Sequence, residues 1–335
     1  MTLTFDCLSA PQELKALRGE WNDLLATNHT NEVFLTWEWQ TTWFNTYQPG
    51  DLYVIIARDE SGRLVGIAPW FIDGEGRVLR PIGCVDVTDY LDLIVRPDHR
   101  PAVFSGFAAH LAQNRTLFSR VNLCNHPDGS PALTTFAEAL RAAGFTVTLV
   151  PQEVCPVIPL PATFEDYLNG LDKKNRHELR RKLRRAGAEE EGVAWHIVGA
   201  GDDLPAAIET FTALMAASSP QKADFLADAK NGAFFRAIVP QIAACGWLQL
   251  SFLTVEGTPA AAYLNFDYDN RILVYNSGLI PVTYGHLSPG IVLLAHLIED
   301  AISKGRRAFD FLRGNEDYKY RMGGVDKPVY EIKAD

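Results

Sequence analysis

Apolar residues recur along this chain with two alternating spacings. Leu14, Leu17, Trp21, Leu24 and Leu25 fall three or four apart, which predicts an amphipathic helix over 11–26. Phe34, Trp37, Trp39, Trp43, Phe44 and Tyr47 continue as a second helix, crowded with aromatics around Glu38. Strand-like runs follow at 52–58 and 64–72, joined by Asp59-Glu60-Ser61-Gly62-Arg63, a turn by composition. A second turn, Asp73-Gly74-Glu75-Gly76, leads to a strand at 78–82. This antiparallel meander gives way to a strand at 89–95, a helix at 101–113, a strand at 120–123, a helix at 133–143 and a strand at 145–150.

A comparable order returns after residue 190. Helices are expected at 204–218 and 231–245, strands at 248–255 and 260–268 paired across Glu256-Gly257, and a strand at 272–275 after Asp269-Asn270-Arg271. A loop over 276–287 then reaches Ser288-Pro289-Gly290. There Ser288 is expected to accept from the first free amides of a helix and Pro289 to take its first position. Ile291, Leu294, Leu297, Ile298 and Ile302 keep one apolar stripe along that helix, and Gly305 stops it. A helix that follows a strand in this way aims its unpaired amides and positive dipole end at a site where an anion can sit. A strand at 308–312 and a turn dense in charge and aromatics complete the second half, with a further helix after it.

Between the halves lie a proline-rich crossing at 156–161 and one long helix. Thr163 and Asp166 open it as a capping box, and Tyr167, Leu168, Leu171, Leu179 and Leu183 form its seam. Residues 173–185 hold eight Lys and Arg against one Glu, Gly187 ends the helix, and Glu189-Glu190-Glu191 reverses the charge. Lys173, Lys174, Arg176, Arg180 and Arg181 read either as a solvated face or as an anion-binding ridge.

Composition narrows the classes. A net charge of -10 over 335 residues argues against a general polyanion binder. Cys7, Cys84, Cys124, Cys155 and Cys245 are scattered with no Cys-x-x-Cys, so buried thiols are expected, with neither a disulfide framework nor a zinc site. The first residues lack a basic segment followed by an apolar run, and no stretch approaches the length of a membrane span, so a cytoplasmic protein without a membrane span is expected. P-loop, Gly-x-Gly-x-x-Gly, His-Glu-x-x-His and Gly-x-Ser-x-Gly motifs are absent.

The strand at 308–312 carries Asp310, and Arg313 follows three residues later. A carboxylate and a guanidinium so close to a buried strand need partners. Tyr275-Asn276-Ser277-Gly278, the Ser288-Pro289-Gly290 helix, and Phe309-Asp310-Phe311-Leu312-Arg313-Gly314 followed by Tyr318-Lys319 resemble the bacterial acetyltransferase-like family grouped with CelD cellulose-biosynthesis proteins, within the GNAT superfamily. The chain is also similar to the Fem-type aminoacyltransferases.

Together with the repeated element order, the resemblance implies an α/β (α+β) fold of two tandem GNAT-like domains, each a mixed, mostly antiparallel sheet flanked by helices. The expected boundaries are 1–160 for a non-catalytic N-terminal domain, 161–190 for a basic connecting helix, and 191–335 for the acyltransferase domain. The resemblance further implies acyl-CoA, acetyl-CoA first, as co-substrate, with no permanently bound cofactor and no metal. The acceptor would be an amine of a small molecule, a sugar or a cell-envelope precursor.

An acyl transfer of this kind needs amides for a pyrophosphate, a base for the attacking ammonium and an acid for the leaving thiolate. Leu287, Ser288, Pro289 and Gly290 are the candidates for the first. Asp310, Glu316 or Asp267 would supply a carboxylate, Tyr318, Tyr275 or Tyr284 a phenol, and Lys319 and Arg313 would hold phosphate or a developing oxyanion. Trp37 and Trp39 would wall the substrate, since the family carries a similar Phe34-Leu35-Thr36-Trp37-Glu38-Trp39 segment. Asp89, Tyr90, Arg176, Arg180, Asn276 and Ser277 are further acceptor contacts. His296, inside the helix pattern, is expected to be structural.

The GNAT pyrophosphate motif Arg/Gln-x-x-Gly-x-Gly/Ala is missing from both halves. Arg96-Pro97-Asp98-His99-Arg100 replaces it in the first, and Tyr284-Gly285-His286-Leu287-Ser288-Pro289-Gly290 in the second. Two other function classes therefore stay open: a Fem-like enzyme that takes its donor from aminoacyl-tRNA, and a non-enzymatic subunit of envelope-polysaccharide assembly.

Overall fold

The computed structural model describes residues 2–84, 87–188 and 191–335. Glu189 and Glu190 of the expected charge reversal lie outside the described residues. The chain divides into two compact units, Met1–Val154 with Lys327–Asp335, and Cys155–Asp326.

In the first unit, β1 (Thr4–Leu8) precedes helices α1 (Pro11–Ala16), α2 (Arg18–Leu25) and α3 (Trp37–Tyr47). The single helix expected over 11–26 is thus two, because the chain tightens at Leu17, whose amide bonds the Leu14 carbonyl at 3.2 Å. Strands β2 (Gly50–Arg58), β3 (Leu64–Asp73) and β4 (Val78–Pro81) form the meander. After them come β5 (Ile94–Val95), α4 (Arg100–Gln113), β6 (Arg120–Pro127), α5 (Thr135–Ala142) and β7 (Val147–Pro159).

Strand order in this unit is β1-β2-β3-β4-β6, with β4 and β6 parallel, and the chain's last strand, Val325–Ala334, lies antiparallel against β6. Trp70 of β3, Phe107 of α4 and Phe136 of α5, all nearly inaccessible, meet in the core of the unit. Of the strand expected at 89–95 only Ile94–Val95 forms. Side chains take over the backbone and carboxylate there: Asn28 bonds the Leu93 carbonyl at 3.0 Å and the Val95 amide at 3.1 Å, and Asp92 accepts from Thr30 and Ser130.

Two of the expected thiols are instead a disulfide, Cys84–Cys124. Their distance in sequence concealed it; the parallel pairing of β4 and β6 brings the Cα atoms to 6.1 Å, within bonding reach. Cys155 is buried and Cys7 exposed.

The second unit opens with the end of β7 and with α6 (Phe164–Gly170) and α7 (Lys173–Ala186). The long helix expected from Thr163 breaks at Leu171, which is extended, and restarts where Asp172 caps the Asn175 amide at 2.9 Å. Thr163 does cap as read, accepting from the Asp166 amide at 3.0 Å. Then follow β8 (Val193–Ile197), α8 (Leu204–Ser218), α9 (Pro220–Ala227), α10 (Ala229–Ala244), β9 (Leu248–Val255), β10 (Thr258–Tyr268), β11 (Arg271–Leu279), α11 (Pro289–Ser303), β12 (Ala308–Asp310) and α12 (Asp317–Arg321).

The sheet of this unit runs β7-β12-β11-β10-β9-β8, antiparallel except for the β11–β12 pair. Val292, Leu293, Leu294, Leu297 and Ile298 of α11 are wholly buried on it, and α7 adds Leu179 and Leu183 from outside. A mixed sheet flanked by helices, twice over, is the fold class expected.

Candidate active site

The two parallel strands of the second unit stay together only briefly. β11 pairs with β12 through Arg271, Ile272 and Leu273, and then continues to Leu279 after β12 has ended at Asp310. The loop expected from 276 is therefore partly strand. Its pairing with β10 skips from Val274 to Asn276, so Tyr275 is an extra residue, a bulge that bends the strand. Tyr275 packs on Phe266 and Phe235, with ring centroids 5.0 and 6.0 Å away. The strand's end lies hard against α8: a Cβ on Gly278 would stand 2.5 Å from the Met215 amide nitrogen, so only glycine fits.

Across the parting stands the start of α11. Ser288 does not cap it as the sequence suggested, because its backbone is left-handed (φ 54, ψ 52) and its hydroxyl accepts instead from Lys182 of α7 at 2.5 Å. The first turn of α11 has no side-chain cap, and its dipole end is open to an anion. Arg185, a turn beyond Lys182, donates to the His286 carbonyl at 2.9 Å.

Between these elements is a cavity of about 320 Å³, lined by Tyr263, Ser277, Leu279, Ile280, Pro281, Gly285, Ser288, Pro289, Gly290, Ile291 and Tyr318. Leu287 lies behind it, buried in the core. A second cavity of about 140 Å³, lined by Asn175, Glu178, Leu179, Lys182, Ile291, Tyr318, Arg321 and Met322, shares two of its walls, Ile291 and Tyr318.

Tyr318 is thus the expected catalytic side chain that reaches both spaces. Burial pushes its phenol well above the usual tyrosine range, with Tyr263 and Glu316 adding to the rise, and the edge of its ring meets Phe311. The other candidates are engaged in building the turn that carries it. Asp310, buried, accepts from the Leu312 amide at 2.8 Å and so holds that residue in its left-handed conformation (φ 56). Lys319, also buried, donates to the carbonyls of Leu312, Arg313 and Gly314 at 3.3, 2.6 and 3.1 Å and meets Glu316 at 3.0 Å. Glu316 is exposed, Asp267 is bound by Arg306 at 2.7 Å, and Tyr284 packs on the core of the unit. Asn276 accepts from the Ser277 amide at 2.9 Å.

The basic helix divides its cations. Arg176 donates to the Asn169 carbonyl at 3.2 Å, Arg180 pairs with Glu165, and Arg181 binds Glu178 at 2.7 Å. Arg181, then Lys182, hold the Glu178 carboxyl down to about 2. Lys173 and Lys174 are exposed. Lys182 and Arg185, not singled out by sequence, are the ones that reach the start of α11. Lys222 was also missed: it lies on α9, a helix that the apolar pattern did not mark, and it bonds Ser277. His296 stacks on Trp195 at 5.2 Å, a packing role.

The N-terminal candidates are packed within the first unit. Trp39 is inaccessible and donates to Thr88 at 3.1 Å; the Trp37 indole donates to the Leu14 carbonyl at 2.7 Å under the guanidinium of Arg18. Tyr90 is buried near Phe34, and Asp89 is half-buried.

Two parallel strands thus part beside a helix start, with the Tyr318 phenol on the short helix that follows. The family described as "Acetyltransferase (GNAT) domain" matches residues 173–320. That segment is similar to GNAT acetyltransferase domains, which supports an acyltransferase, and the fold of the chain is shared with a Fem-type transferase.

Among solved structures, FemX is 12% identical with a TM-score of 0.63, over 98% of this chain and 97% of its own. L-PGS from Bacillus licheniformis is 12% identical with a TM-score of 0.57, over 97% and 91%. A tandem GNAT protein from the clavulanic acid biosynthesis pathway is 14% identical with a TM-score of 0.51, over 100% and 98%. At these identities the likeness is one of fold. No curated protein sequence matches this chain. Among the described residues no helix is long and apolar enough to cross a membrane, and no group of His, Cys, Asp and Glu is placed to hold a metal ion.

Proposed function

We propose that this protein moves an acyl group, acetyl first, from acyl-CoA to the amine of a small-molecule, sugar or cell-envelope acceptor, and that the second unit does the chemistry. The observation that carries this is the 320 Å³ cavity, which has an uncapped helix start at one wall and a half-buried phenol at another. The amides of Gly290 and Ile291, in the turn that Ser288 and Pro289 open with Leu287 packed behind it, would receive the pyrophosphate, and Lys182 would stand beside it.

The acceptor ammonium loses a proton through water to Glu316, the exposed carboxylate two residues before Tyr318. The free amine attacks the thioester carbonyl and the C–N bond forms; as the C–S bond breaks, Tyr318 gives its proton to the leaving sulfur and takes up the proton that the nitrogen loses, which restores the phenol. Asp310, Lys319 and Arg313 act by holding the 312–316 turn, and hence Tyr318, in place. Tyr275, Asn276, Ser277, Arg176 and Arg180 contribute on the acceptor side, and Trp37, Trp39, Asp89 and Tyr90 shape the first unit, which is not catalytic. The quoted CelD-like motifs support a role in envelope polysaccharide synthesis inside the cell.

Calorimetry with acetyl-CoA, followed by thiol release with a panel of amines, tests the proposal. Micromolar binding and amine-dependent release are expected, and failure to bind any acyl-CoA would sink it. One observation favours a second reading: Lys173, Lys174 and Arg184 on α7 are exposed, as a tRNA-binding face would be. Aminoacyl-tRNA as donor would show as binding that weakens steeply with salt.

A further inference from the structure

The ammonium of Lys222 stands behind one wall of the larger cavity without a bound counter-charge. It donates to the carbonyl of Ser277 and, at 3.2 Å, to the Ser277 hydroxyl, and Ser277 lines the cavity opposite Tyr263 in the sheet register. No carboxylate among the described residues forms an ion pair with it. Glu316, whose charge acts on it from farther off, is held by Lys319 at 3.0 Å.

A cation taken out of water and offered only a carbonyl and a hydroxyl is poorly compensated. Burial accordingly lowers the Lys222 pKa to about 8, against the opposing pull of Glu316. An anionic group arriving at Ser277 would supply the missing charge through charge-assisted hydrogen bonds.

We propose that Lys222 is the recognition point for the acyl acceptor, and that the acceptor is an amine which also bears a carboxylate or a phosphate. The inference rests on the acyltransferase reading of the same cavity. It deepens that reading by naming the acceptor class: the donor takes the end at Ser288, and the acceptor's anion takes the end at Ser277. The cation has a second effect, since a positive charge near the acceptor's own ammonium favours its loss of a proton.

Matched pairs that differ only in the anion test this: alanine against alaninamide, and glucosamine 6-phosphate against glucosamine. Binding of each is measured by calorimetry with and without saturating coenzyme A, on the wild type, Lys222→Met and Lys222→Arg. The anionic member of at least one pair is expected to bind at least about tenfold more tightly, and which pair does so separates carboxylate from phosphate. The preference should vanish in Lys222→Met and persist in Lys222→Arg. Equal binding within both pairs, no binding of any member, or a preference that survives Lys222→Met overturns the inference. If coenzyme A itself does not bind while the anionic members still do so through Lys222, the donor reading falls and this inference stands.

Discussion

The two units repeat one arrangement and finish it differently. In the first, β4 runs parallel to β6 and the chain goes on to α4; in the second, β11 runs parallel to β12 and the chain goes on to α11. The space beyond the first pair is filled. Trp39 and Asn125 both bond Thr88, Gln40 bonds the Ile82 carbonyl at 3.1 Å, and Cys84–Cys124 ties the two strand ends together. Beyond the second pair the strands part around a cavity, and the residue before the helix is bonded by a lysine from α7. What turns one copy into packing and leaves the other open is therefore the side chains that other segments bring to the parting.

The largest expected effect comes from the filled copy. Trp39→Ala should destabilise the protein by about 3–5 kcal/mol in urea unfolding, because it empties a closed core site and strips the Thr88 hydroxyl of its donor. If Trp39→Ala instead kept its stability and lost only turnover, the contrast between the copies would be broken. In the open copy, Tyr318→Phe should cut turnover about 100-fold, about 2.7 kcal/mol of barrier, while stability and acetyl-CoA affinity stay near wild type. Unchanged thiol release from that variant would move the acid elsewhere.

Next in size is Lys182→Ala, expected to raise the acetyl-CoA dissociation constant about tenfold by calorimetry, about 1.4 kcal/mol, where Lys173→Ala leaves it unchanged. Arg176→Gln with Arg180→Gln should alter stability by less than about 1 kcal/mol, since exposed pairs contribute little, and should weaken binding only of an anionic acceptor or of tRNA.

The last effect is a slope. Folded, Lys222 titrates near 8, below the roughly 10.4 of an unfolded lysine. Between those values the unfolded chain holds a proton that the folded one has released, so this group's contribution to stability rises with pH. Thermal unfolding from pH 7.5 to 9.5 should show a rise in wild type that Lys222→Met lacks.

Much of this could be read from sequence because local periodicity writes it. The 204–218 helix and the 248–255 strand agree with the structure to the residue, and α11 starts at Pro289 as its N1 preference demands. Errors fall where a side chain from far along the chain replaces a local partner. Asn28 holds 93–95 out of a longer strand and Lys182 takes the hydroxyl expected to cap α11, whereas the restart of the basic helix at Asp172 is a local cap on Asn175 that the continuous apolar seam hid. Tyr318 was named beforehand because it follows a recognisable strand; Lys222 and Lys182 were not, since a lysine on a polar helix face looks the same whether or not the fold covers it.

By itself, then, the sequence determined the two rounds of meander, helix and strand, the basic helix between them, and the acyltransferase resemblance at 275–319. These depend on spacings of a few residues and on turn chemistry that each segment carries alone. Only the tertiary structure decided which parting is filled and which is open, that Asp310 and Lys319 hold a turn, and that a lysine on α9 comes to lie behind Ser277. Those outcomes depend on burial and on contacts between residues tens or hundreds apart, and no local pattern records which ammonium the fold will take out of water.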